Sequence, residues 1–134
     1  MSDFVFFYGT LLPQYVPAAM RKVVAGLRFH GEGSVRGVLY DLGEYPGAVL
    51  DKLDKSSDMR VYGAVFQLPD TWSALHELDR YEGYDPASPG KGLFVRKCCP
   101  VVLSGGSFLD SWIYEYNGNP TGARVIASGR YSVW

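Results

Sequence analysis

Apolar and polar positions change period several times along the chain, and each change marks an element. "DFVFFYG" is a short apolar and aromatic run halted by Gly9, which predicts a buried first strand. After the loop "TLLPQYV", Pro17 suits the first helical position of "PAAMRKVVAG", and Gly26 suits a left-handed terminator. From Leu27, "LRFHGEGSVRGVLYDL" alternates apolar and polar residues around a glycine-containing bend. "EYPGAVLD" then sets Pro46 and Gly47 at the centre of a type II turn, so the region reads as hairpins. Beyond the polar loop "KLDKSSD", Val61, Gly63, Val65 and Gln67 alternate with Tyr62, Ala64, Phe66 and Leu68, a long strand largely apolar on both faces.

Asp70 or Thr71 is placed to cap the next helix, which carries Trp72, Leu75 and Leu78 on one side and stops at Gly83. "GLFVRKCCPVVL" and "SFLDSWIYEYN" are two more strand-like runs, joined at "SGGS", where Gly105 and Gly106 suit a two-residue turn of positive φ. The tail is irregular, but Tyr131, Val133 and Trp134 give it an apolar end suited to packing back onto the body. This order predicts an α+β protein, one β-rich sheet curled into a barrel by its glycines and accompanied by two helices. With 134 residues and no repeat, linker or low-complexity tract, a single domain over residues 1–134 is expected.

Composition sharpens this picture. Sixteen glycines and 15% aromatic residues in an otherwise ordinary 47% hydrophobic chain favour short strands and tight turns. Thirteen basic against 14 acidic residues leave a charge of −1, which argues against nucleic acid or anionic lipid as a partner. The start lacks the basic flank and cleavage site of a signal peptide, and no apolar run reaches membrane-spanning length; a cytoplasmic protein is expected. Cys98 and Cys99 are adjacent, a spacing that strains a disulfide, and with only His30 and His76 beside them they predict free thiols and no metal. No heptad or interface patch assigns an oligomeric state.

Three stretches carry candidate chemistry. In "LDRYEGYDP", at 100° per residue, Glu82 falls between Leu75 and Leu78 within an arc of roughly 60°. A carboxylate there faces the core at the helix end least suited to its charge, so desolvation and the helix dipole both raise its pKa. It can then take and return a proton near neutral pH. The alternative is that Glu82 caps an amide or pairs with an arginine such as Arg96, and Asp79 is the rival acid. In "YGTLL", Gly9 lets a buried strand turn so that successive amides converge, an arrangement for carboxylates or oxyanions, although a strand ending at glycine is also simply a turn. In "SWIYEYNG", Trp112, Tyr114 and Tyr116 share one face, with Ile113 and Glu115 on the other. Such a stripe suits a core, yet a buried tyrosine hydroxyl needs a partner and can line a polar cavity.

Taken in order, "VFFYGTLLP", "LYDLGEYPGAV", "VYGAVFQLP", "LDRYEGYDP", "LFVRK", "WIYEYNG" and "SGRYSVW" resemble the γ-glutamylcyclotransferase-like, or AIG2-like, family over nearly the whole chain. The resemblance implies a small mixed β-barrel with flanking short helices and a cavity beside the YGTL loop. It implies that the family's glutamate is Glu82, that its loop residues are Tyr8, Gly9, Thr10 and Leu11, and that its pocket tyrosine is Tyr114. The implied activity is cyclisation of a small-molecule γ-glutamyl amide to 5-oxoproline and a free amine, without a cofactor. In that reaction Glu82 serves as base and then acid, the loop amides hold the glutamyl end, and Tyr114 supplies a hydrogen bond. The chain departs from many relatives at "LPQYVP", on the leaving-group side. Two other readings stand beside this one: a non-catalytic module that keeps the cavity for an acidic metabolite, and an interaction protein with no ligand.

Overall fold

The computed structural model of the protein describes residues 2–50, 58–69 and 71–132. Its strands are β1 (Phe4–Phe7), β2 (Arg28–Asp41), β3 (Pro46–Leu50), β4 (Arg60–Gln67), β5 (Phe94–Leu103), β6 (Phe108–Tyr116) and β7 (Arg124–Val125). A 3₁₀ turn (Ala18–Met20) leads into helix α1 (Arg21–Ala25), and helix α2 (Thr71–Glu82) follows β4. Strands β2, β4, β1, β6 and β5 are neighbours in that order, and β5 pairs back onto β2 through Gly33–Leu103 and Ser34–Val102, which closes a five-stranded barrel. Strand β1 pairs parallel to β6 and antiparallel to β4, so the barrel is mixed. The far half of β2 leaves the barrel to pair with β3 and β7. The α+β barrel with short helices expected from the sequence is therefore present.

Alternation along the strands divides the apolar residues into two clusters. Phe6, Val35, Val61, Val65, Val101 and Ile113, contributed by all five barrel strands, fill the interior together with Tyr8, Leu39 and Ala48. Val5, Phe7, Ala64, Phe66, Phe94 and Tyr114 point outward and are covered by Met20 and Val24 of the first helical segment and by Leu75 and Leu78 of α2. Strands β1 and β4 are thus buried on both sides, as their continuous apolar runs predict. Among the described residues no helix is long and apolar enough to cross a membrane.

Several local expectations are corrected. Residues 28 to 41 form one strand with a bulge between Phe29 and Gly31, so the glycines there bend a strand and do not reverse it. Pro46 and Gly47 open β3, paired with Asp41 and Tyr40; the turn lies earlier, where Leu42 N–H donates to the Tyr45 carbonyl and Gly43 has a φ of 102°. Pro46 is tolerated because the first residue of a strand can lack a donor. Gly26 ends α1 in ordinary right-handed geometry. The "SGGS" connection is longer than two residues, since Leu103 N–H donates to Ser107 and only Gly106 of the glycine pair has positive φ. Trp72 is 61% exposed, because at 100° per residue it lies about 120° from Leu78, beyond the buried stripe. Cys98 is exposed and Cys99 half-buried, both free thiols. Tyr131 packs edge-on against Tyr15, while the proposed caps at Asp70 and Thr71 and the apolar Val133 and Trp134 lie outside the described side chains.

One buried carboxylate braces the barrel away from the helices. Glu115 of β6 accepts the Leu50 N–H of β3 at 2.7 Å through one oxygen and the Lys97 ammonium of β5 through the other. In Glu115→Ala the lysine can turn to solvent, but the Leu50 amide loses its acceptor. A loss of about 2–4 kcal/mol is expected, read as a lower urea midpoint at unchanged slope.

Candidate active site

Helix α2 lays Leu75 and Leu78, both almost fully buried, on the outer face of the barrel, and the same helical arc carries Glu82 inward at its last turn. Gly83 follows in the left-handed conformation with a φ of 73°, which stops the helix at this residue. Glu82 is half-buried and makes no hydrogen bond or ion pair among the described residues. Desolvation, with no compensating partner, pushes its pKa up to about 8.

Facing this cavity is the end of β1. Its chain turns at Gly9, whose carbonyl accepts the Leu12 N–H at 3.0 Å. A Cβ on Gly9 would stand 2.6 Å from Cγ of Pro46, so the glycine is what lets β3 press against the loop. The N–H groups of Gly9, Thr10 and Leu11 donate to no protein acceptor among the described residues, which leaves them available for an anion. At the mouth, the Thr10 hydroxyl lies 3.2 Å from that of Tyr81.

Tyr8 and Tyr114 are tied into the fold by their hydroxyls. Tyr8 donates to the Tyr114 carbonyl at 2.7 Å and accepts the Ala48 N–H at 3.1 Å, joining β1, β6 and β3. Burial first, then the charge of Glu82, hold its hydroxyl protonated well above the usual range. Tyr114 donates to Oδ1 of Asp79 at 2.6 Å; burial and then this hydrogen bond raise its pKa as well. Asp79 also accepts Nε–H of Arg96 at 2.9 Å. Arg96 is therefore the partner of Asp79, and the alternative in which it neutralises Glu82 falls. A short distance in sequence separates the two acids, yet one is paired and the other is not.

Tyr8, Gly9, Thr10, Leu11, Glu82 and Tyr114 all line one cavity of about 230 Å³. All six residues singled out from the sequence are thus brought together. The reading missed Tyr45, Pro46, Tyr81, Leu93 and Phe94, which together with Phe6 and Phe7 of β1 make up the rest of the wall among the described residues. Signals for some of them were present: Tyr45 and Pro46 lie in the "EYPGAV" motif, and Tyr81 precedes Glu82. Tyr81 and Leu93 are exposed at 38% and 44%, so each has part of its side chain in solvent. Among the described residues the lining contains no lysine, arginine or histidine, and Glu82 is its one carboxylate.

Comparison with known proteins agrees with this architecture. A family model described as gamma-glutamyl cyclotransferase, AIG2-like, matches residues 5–133. No curated protein matches the chain. Among solved structures, an AIG2-like protein from Mus musculus is similar with a TM-score of 0.70 at 20% identity, covering 97% of this chain and 88% of that one. The protein ytfP from Escherichia coli is similar with a TM-score of 0.64 at 25% identity, covering 96% of this chain and 95% of that one. YkqA from Bacillus subtilis is similar with a TM-score of 0.68 at 21% identity over 98% of this chain, which spans only 40% of the length of that protein. With the family match running over nearly its whole length and the barrel and cavity in place, the chain belongs to the AIG2-like gamma-glutamyl cyclotransferase family.

Proposed function

We propose that the protein is a cofactor-free γ-glutamyl cyclotransferase in which Glu82 moves the proton. The observation that carries this is an unpartnered, desolvated carboxylate in the same small cavity as three free backbone amides. In a γ-glutamyl amide the α-amino nitrogen lies within reach of the γ-carbonyl carbon of the same molecule. The protein must fold the substrate, deprotonate the α-ammonium, steady the developing oxyanion and protonate the leaving nitrogen. Glu82 takes one proton from the ammonium, which frees the lone pair that forms the new N–C bond, and gives it to the amide nitrogen as the amide C–N bond breaks. It then takes the second proton that the ring nitrogen sheds and passes it to the departing amine, so 5-oxoproline and an ammonium product leave and the carboxylate is regenerated.

The composition of the wall supports the orientation. With no cationic side chain among the described residues of the lining, the amides of Gly9, Thr10 and Leu11 serve the anionic and carbonyl oxygens of the glutamyl group, and Glu82 serves the ammonium. Purified protein offered a panel of γ-glutamyl amino acids, peptides and amines is expected to release 5-oxoproline from at least one of them, detected by mass spectrometry. Binding of panel members without product would replace this reading with that of a non-catalytic module.

A further inference from the structure

The Tyr114 hydroxyl has one proton, and it points to Asp79 Oδ1, 2.6 Å away. Asp79 is 5% exposed and precedes Glu82 by three residues on α2, so the two acids are neighbours on the helix surface. The same Oδ1 takes Nε–H of Arg96. The Arg96 guanidinium is held in turn between aromatic rings, 4.5 Å from the centre of Trp112 and 5.4 Å from that of Tyr84. A guanidinium only donates, so its carboxylate partner accepts, and a carboxylate that accepts from Arg96 also accepts from the phenol. The direction of the Tyr114 O–H is thereby fixed from α2, β5 and β6 together. Tyr8 is equally committed, donating to Tyr114 and accepting from Ala48. Neither Tyr8 nor Tyr114 has a proton to give a substrate, and what Tyr114 retains is an acceptor lone pair.

We infer that Asp79 is a positioning residue for the cyclisation: through Tyr114 it fixes an acceptor oxygen on the wall shared with Glu82, and the two oxygens orient the substrate's α-ammonium toward its γ-carbonyl. The inference rests on the cyclotransferase reading above. It assigns the sides of the cavity, with the backbone amides of residues 9 to 11 as donors and Glu82 with Tyr114 as acceptors. Asp79 touches no substrate and acts only through Tyr114.

The test is a double-mutant cycle on the best panel substrate. Tyr114→Phe removes the acceptor and is expected to lower kcat about 10- to 100-fold, with little change in KM because Glu82 and the loop amides still hold the glutamyl group. Asp79→Leu removes Oδ1, the acceptor that holds the phenol proton, so that proton can turn into the cavity, and it is expected to give a loss of the same size. In the Tyr114→Phe background, Asp79→Leu is expected to cost nothing further in kcat, since its route of action is gone. A residue with only a structural role would instead lower kcat in both backgrounds alike. Because Asp79→Leu leaves Arg96 buried without a counter-charge, a variant that melts below the assay temperature is replaced by Asp79→Leu with Arg96→Met, which removes the uncompensated cation. Independently, the Tyr114 hydroxyl proton should appear in the NMR spectrum of the unaltered protein as a protected resonance lost in Tyr114→Phe; its absence would overturn the assigned direction. An active protein in which Asp79→Leu stays within about twofold of the original, or multiplies the Tyr114→Phe loss, overturns the role of Asp79 alone. A protein that cyclises nothing overturns the cyclotransferase reading and this one with it.

Discussion

Glu82→Gln is expected to remove 5-oxoproline release by a factor on the order of 10³ or more while the protein stays folded. The two side chains have the same shape, and below pH 8 both are predominantly neutral, so the substitution changes neither packing nor buried charge. What it removes is the capacity to take a proton and give it back. No neighbouring group can replace that capacity: Asp79 already accepts two hydrogen bonds, and the hydroxyls of Tyr8 and Tyr114 are donating to other groups. The loss should therefore fall on kcat, with KM changed far less, because the amides beside Gly9 still hold the glutamyl end. Residual turnover within tenfold of the original, at unchanged melting temperature, would sink the role assigned to Glu82. Asp79→Leu separates the two acids in the same assay, since a positioning residue costs less than the proton carrier.

The contrast between these acids also marks how far sequence reaches. Glu82 was legible because its position depends on two local rules, the 100° helical step and the stop at Gly83, and both hold in the structure. Its lack of a partner was not legible, since Arg96 arrives from β5 and the choice between Asp79 and Glu82 is made by tertiary packing. The near-continuous apolar runs of β1 and β4 identified strands buried on both faces, because successive residues of a strand point to opposite sides and each side here is covered. Pro46 and Gly47 were misplaced for the opposite reason. Turn propensity alone favours them, whereas pairing with Asp41 and Tyr40 on an edge strand gives Pro46 a site that needs no donor and sets it against Gly9. The cavity wall was therefore half visible: the residues inside recognisable motifs could be named, and those brought in by strand pairing could not.

The burial that equips Glu82 for proton transfer should also make the protein less stable as pH rises, and the same pKa should set both effects. Its carboxyl titrates at about 8 in the fold against an ordinary value of 4.5. Between those values the folded chain retains a proton that the unfolded chain has released, so the Glu82 contribution to stability is fully present below about 4.5 and is lost as pH rises through about 8. Glutamine at this position does not titrate. The stability of Glu82→Gln relative to the original protein is thus expected to increase from pH 5 to pH 9 by on the order of 3 kcal/mol, with the cavity's access to water reducing the full-burial value. Urea unfolding of both proteins at pH 5, 7 and 9 measures this directly. Activity must run the other way, because a base works only when deprotonated: kcat/KM for the free enzyme should climb about tenfold per pH unit below 8 and level off above it. A stability difference that ignores pH, together with an activity limb near 4.5, would mean that Glu82 is solvated like a surface carboxylate and that the cavity does not tune it. Agreement of the two midpoints would tie the cost in stability and the gain in basicity to one desolvated side chain.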